Sequence, residues 1–156
     1  MRTRLTGLLL VMVSLGLVAG PAGAQKAADV IETADAEWSG IQTDLLEVKR
    51  MSDNTVRVRW RWRNTTDTKV HLFSSGEGER ALKQNAYVID PKNKKKHLVV
   101  TDSQGKVIGT DIPFTDLGPK KALAVWAKFP APPADVDKIT VVVPKTPPFE
   151  DIAIAK

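Results

Sequence analysis

The sequence predicts an all-β protein, a single antiparallel sandwich of about seven to nine strands. Three observations predict it. From Gly40 onward, short runs of β-branched and aromatic residues alternate with turn formers, the pattern of half-buried strands. Prolines 113, 119, 130, 132, 133, 144, 147 and 148 fall between those runs, where a missing amide donor costs no ladder bond. The chain also has no cysteine, so burial alone must hold it together, which favours a two-layer core over a small stapled scaffold.

The elements follow in order. Arg2 and Arg4, an apolar run from Leu5 to Gly20 and the small residues Ala22-Gly23-Ala24 form an export signal, with cleavage expected after Ala24. As a helix, a run of about 16 residues spans roughly 24 Å, short of the ~30 Å hydrocarbon core that a membrane anchor crosses. Cleavage removes two arginines and no acidic residue, lowering the formal charge of +5 to about +3, only mildly basic. Residues 25–39, QKAADVIETADAEWS, lack a sustained apolar stripe and are expected to be a flexible leader, with residues 40–156 forming the sandwich.

IQTDLLEVKRM (41–51) leads through Ser52-Asp53-Asn54, residues suited to a tight turn, into TVRVRWRWRN (55–64), a hairpin. Further strands are expected at 69–73, 85–90, 97–102, 106–111, 122–129, 138–143 and 151–155. SSGEGERALKQ (74–84) is too polar and glycine-rich for a strand, and no helix of amphipathic length is expected anywhere.

Several of these stretches taken together carry a resemblance. EVKRMSDNTVRVRWRWRN, AYVID, VVTDSQGKV, LGPKKALAVWAKFPAPPADVDKITVVVP and PPFEDIAI are similar to immunoglobulin-like, telokin-like periplasmic domains of bacterial exported proteins. Most of all they resemble the accessory module that accompanies some OmpA-family envelope proteins. The similarity covers roughly residues 41 to 156. It implies an immunoglobulin-like sandwich in the periplasm, with an OmpA-family-like envelope protein as a possible partner, and brings no catalytic residues. The helix-rich peptidoglycan-binding domain of that family is not present, so its cell-wall contact does not carry over.

Little in the sequence points to catalysis or a cofactor. His71 and His97 fall on different expected strands, and after cleavage Met51 is the one methionine left, a poor basis for a zinc or copper site. No G-x-S-x-G elbow occurs, and Ser74-Ser75-Gly76 has no base that the sequence positions. GEGE (76–79) lacks the lysine of a phosphate loop and reads as a polar turn, while Glu77 and Glu79 read as solvated loop carboxylates. Asn64-Thr65-Thr66 matches a glycosylation sequon but reads as a β-turn in an exported bacterial protein. The expectation is therefore a non-enzyme without a cofactor.

Two basic features remain. Arg57, Arg59, Arg61 and Arg63 share one face of their strand, and Val56, Val58, Trp60 and Trp62 the other. The apolar face must be the core face, so the arginines point outward. Neighbouring charges roughly 7 Å apart in water repel by only about 0.6 kcal/mol, whereas burying a large side chain contributes about 1.5–3 kcal/mol. The stripe therefore needs no ligand to exist. It is either a solvated or internally paired face, with Asp44 or Glu47 as partners, or a candidate binding surface for an anionic envelope component or an acidic protein. Nucleic acid is not an expected partner of an exported chain. Lys92, Lys94, Lys95 and Lys96 form a secondary basic patch at an expected hairpin tip.

Overall fold

The computed structural model describes residues 29–156, so the export signal and its cleavage after Ala24 lie outside the described residues. The backbone is built around the hairpin of β2 (Ile41–Arg50) and β3 (Thr55–Asn64). Asn54 takes the left-handed conformation that its short polar side chain tolerates, and this closes the turn. Strand β8 (Ala122–Pro130) pairs with the other edge of β3, and β1 (Glu32–Asp35) with β2, giving a four-stranded antiparallel sheet in the order β1-β2-β3-β8. The second sheet runs β10-β9-β5-β6, from β5 (Tyr87–Asp90), β6 (Lys95–Leu98), β9 (Lys138–Val142) and β10 (Phe149–Ala153). A two-stranded ribbon joins β4 (Val70–Phe73) to β7 (Thr115–Leu117). The fold is an all-β sandwich, as its alternating pattern predicts.

The core lies between the sheets. Val56, Val58, Trp60 and Trp62 of β3 are fully buried, as are Val88, Ile139, Val141 and Phe149 of the second sheet. Trp62 sits edge-on to Trp60 at 5.8 Å and to Trp38 at 5.7 Å, and Trp38 in turn meets Phe73 at 5.1 Å. Edge-to-face stacking sets the positive rim of one ring against the negative face of another.

Four expectations need correction. The leader does not extend to residue 39: β1 pairs along residues 42–45, and Trp38, half-buried, packs against the core. A four-residue edge strand and one tryptophan need no apolar stripe, so composition did not reveal them. The segment 74–84 contains a helix, α1 (Glu77–Asn85). Its N-cap is Gly76, in the left-handed region; just before it the Ser74 N–H donates to Glu77 Oε2 at 2.9 Å, and its surface carries the i,i+4 pair Glu79–Lys83. The expected strand at 106–111 is reduced to isolated bridges against Thr101 and Ala127. There Gly109 passes so close to β8 that a Cβ would lie 2.5 Å from the Trp126 carbonyl oxygen. Finally, β7 forms where the sequence shows only three residues between turns, because β4 supplies its partner.

Gly78 is the buried glycine of α1, and a Cβ there would lie 2.4 Å and 2.5 Å from side-chain carbons of Ile112. Alanine normally favours a helix over glycine by about 1 kcal/mol. Here overpacking reverses the sign, and Gly78→Ala is expected to destabilise the protein by about 1–3 kcal/mol in urea melts. A stabilised variant would show that the helix can move away from Ile112.

Asn64, fully enclosed, settles the sequon. Its Nδ2 donates to the carbonyls of Thr68, Leu117 and Gly118 at 2.7, 3.0 and 3.1 Å, and its Oδ1 accepts from the Thr66 N–H. The side chain is a hub tying the β3 end to two turns, not an acceptor for a glycan.

Candidate functional site

The outer face of the first sheet is ordered by strand register. Across β2, β3 and β8 the rows read Gln42–Arg63–Ala122, Asp44–Arg61–Ala124, Glu47–Arg59–Trp126 and Lys49–Arg57–Lys128. In a regular strand, residues 44 and 47 would lie on opposite faces. A bulge between Leu45 and Glu47 inserts one extra residue, so both carboxylates face outward beside the arginines. Without the bulge, either Asp44 or Glu47 would be forced into the core.

This register divides the arginine stripe into two halves. In the upper half Arg61 Nε donates to Asp44 Oδ2 at 2.7 Å, and Arg63 grips both Asp44 oxygens at 3.1 and 3.2 Å. Thr33 Oγ1 adds a fourth bond at 2.8 Å. Beneath this cover Asp44 is only 1% exposed although it points away from the core. Burial alone would push its carboxyl pKa up. The hydrogen bonds from Arg63, Arg61 and Thr33 outweigh that and hold it at about 2, below the ordinary 3.8. Arg61 and Arg63 are therefore part of the fold.

A pH dependence follows. A carboxyl with a lowered folded-state pKa contributes stability that is complete above its unfolded value and lost as pH falls through its folded value. The window for Asp44 runs from about pH 4 down to about pH 2 and covers about 2 kcal/mol. Over that window the wild type is expected to lose about 2 kcal/mol more in denaturant melts than Asp44→Asn, in which the other carboxylates still titrate. Parallel losses in the two proteins would refute the assignment.

The lower half of the stripe is looser. Arg57 Nε donates to Glu47 Oε1 at 2.7 Å, and this bond raises the guanidinium pKa further. Arg59 comes no closer than 3.9 Å to Glu47 and makes no hydrogen bond among the described residues; its side chain is 46% exposed. Lys128 pairs with Asp53 of the hairpin turn. Met51, Arg57, Arg59, Trp126 and Lys128 together line an open groove of about 370 Å³. The sequence pointed to the arginines but not to Trp126 or Lys128, which reach them only through β8 pairing.

The secondary basic patch is less uniform than its composition suggests. Lys92 pairs with Asp135, and Lys96 lies 3.7 Å over the Tyr87 ring. Lys94 occupies the turn in the left-handed region, while Lys95 and Lys96 lie on β6, at the rim of the second sheet. Lysines on an edge strand discourage pairing with other chains. Buried Asp90 orders this turn by accepting from the Asn93 N–H and Nδ2 at 3.0 and 2.7 Å.

One arrangement escaped the sequence altogether. Pairing of β4 with β7 brings His71 Nδ1 within 2.8 Å of Asp116 Oδ1, and His71 Nε2 lies 3.3 Å from Ser74 Oγ. This is the connectivity of a serine nucleophile, a base and an orienting carboxylate. Its surroundings oppose catalysis. Asp116 is shared with Lys69 at 2.9 Å, and the cluster is open to solvent. An oxyanion forming beside Ser74 would meet the Glu77 carboxylate that already occupies the Ser74 N–H, a repulsive contact where catalysis needs a donor. Glu77 accepts from the Ser74 N–H and Glu79 pairs with Lys83, contacts that lower the two carboxyl pKa values.

Among the described residues no group of His, Cys, Asp and Glu gathers to hold a metal, and no helix is long and apolar enough to cross a membrane. Comparison with family models, curated proteins and solved structures finds no match to this chain, so the geometry of the outer face carries the functional reading.

Proposed function

We propose that this protein is a non-catalytic interaction module of the bacterial periplasm, immunoglobulin-like in plan, that binds an envelope component through the outer face of its first sheet. One observation carries this. On that face Lys49, Arg57, Arg59, Arg61, Arg63 and Lys128 outnumber the carboxylates Asp35, Asp44, Glu47 and Asp53, and the excess gathers at the Arg59 end. Strand pairing fixes the spacing at which these cations leave the sheet, so a partner meets them in a set row. The export signal and the resemblance to envelope modules support the setting.

The test is retention on isolated envelope fractions. Arg57→Ser combined with Arg59→Ser is expected to fold normally but to lose most retention, and wild-type retention is expected to fall with salt, since exposed charges are screened over about 8–10 Å. Equal retention of the two proteins at low salt would end this reading. The stripe's upper half is unsuited to such a test, because Arg61 and Arg63 hold Asp44.

A serine hydrolase is the second reading, favoured by the Ser74–His71–Asp116 chain alone. With the Glu77 carboxylate beside Ser74 and Lys69 sharing Asp116, a fluorophosphonate probe is expected to leave Ser74 unmodified. Stoichiometric labelling that disappears in His71→Ala would instead make the protein an enzyme.

A further inference from the structure

We infer that the groove beside Trp126 takes a single carboxylate on an apolar stem, an acidic side chain of an extended segment from a partner protein. The inference rests on the interaction-module reading and names the occupant of its surface. The groove's three cations, Arg57, Arg59 and Lys128, are met by two carboxylates that pair with them from outside the lining, Glu47 and Asp53. One positive charge is left uncompensated within the groove, and the geometry assigns it to Arg59. Arg57 and Lys128 each have a close carboxylate partner, whereas Arg59 approaches Glu47 only to 3.9 Å. Lys49 lies next to Arg57 in the sheet but does not line the groove.

The chemistry of the occupant follows from charge and shape. A planar guanidinium with unengaged N–H groups matches a carboxylate in a two-bond fork. Elsewhere on the face the arginines already hold carboxylates, those of Asp44 and Glu47. A monoanion balances the one spare charge of the groove; a phosphomonoester dianion would have to draw on Lys49, outside the lining. Trp126 and Met51 supply an apolar flank for the methylenes leading to the charge. At about 370 Å³ the groove is at the small end of ligand sites, enough for one or two side chains rather than a lipid headgroup with its chains.

The experiment follows the indole N–H signal of Trp126 in ¹⁵N-labelled protein, assigned with a Trp126→Phe variant. The probe is the blocked tripeptide acetyl-Leu-Glu-Leu-amide, with acetyl-Leu-Gln-Leu-amide, inorganic phosphate and phosphatidylglycerol vesicles as comparisons. The acidic tripeptide is expected to shift the Trp126 signal saturably, about tenfold more tightly than the glutamine form, and to lose about tenfold in Arg59→Gln. Among the described residues the Arg59 side chain makes no hydrogen bond, and it is half exposed, so that variant keeps the fold. Lys95→Gln, on β6 at the rim of the second sheet, is expected to leave the peptide affinity unchanged.

Equal binding of the two peptides, an Arg59→Gln variant that binds normally, or no saturable shift would each overturn the assignment. Tighter action of phosphate or of vesicles on the same signal would replace the peptide with a phosphate-bearing occupant and also overturn it. Envelope retention can survive any of these results, so failure of the occupant is distinguishable from failure of the module reading.

Discussion

Trp62→Ala is expected to lose about 3–5 kcal/mol of stability, a large share of the total for a domain of this size. The ring is fully buried and contacts Trp60, Trp38 and Phe73, so its removal opens a cavity where three aromatic partners meet. The comparison that isolates the cause is Trp62→Phe. The indole N–H groups of Trp60 and Trp62 are buried without a hydrogen-bond partner among the described residues, so losing one forfeits no bond. Phenylalanine keeps much of the apolar volume, and the phenylalanine variant is expected to be clearly less destabilised than the alanine one. Guanidinium melts of the two variants decide it. A loss below about 1 kcal/mol for Trp62→Ala would mean that the site collapses without cost.

The other large effect is expected from replacing Arg61 and Arg63 together with alanine. Asp44 would then keep only Thr33 as a donor and lose the two side chains that cover it, so water reaches the carboxylate and the expected cost is about 1–3 kcal/mol, that of its lost charge-assisted hydrogen bonds. Part of that loss is expected to be regained by adding Asp44→Asn, which removes the unpaired charge. The double change Arg57→Ser with Arg59→Ser is expected to cost under about 1 kcal/mol, since those pairs are more exposed. If both double variants melt alike, the division of the stripe into a structural half and an available half is wrong.

The hairpin shows how far local pattern reaches. Alternation of arginine with valine and tryptophan over ten residues fixes the span of β3 and which side is buried, because a one-residue error would place four charges in the core. The edges of the fold were not legible in the same way. Strand β1, with one half-buried residue in four, has too little apolar content to announce itself, and it exists because β2 offers a row of unpaired backbone groups. Helix α1 was hidden by two glycines, although Glu79–Lys83 at i,i+4 was a readable signal.

The candidate site divides along the same line. The sequence by itself determined that four arginines share an outward face, that Trp60 and Trp62 point inward, and that Asp44 and Glu47 lie on the preceding strand. Each of these follows from the two-residue period of a strand or from order along the chain. Only the tertiary structure decided which arginines are occupied. That depends on the bulge that turns both carboxylates outward, and on β8, which starts 58 residues after β3 ends and sets Trp126 and Lys128 beside Arg59 and Arg57. A bulge shifts the phase of every residue beyond it, and strand pairing joins residues without regard to their separation along the chain, so neither is written in the period of a single segment.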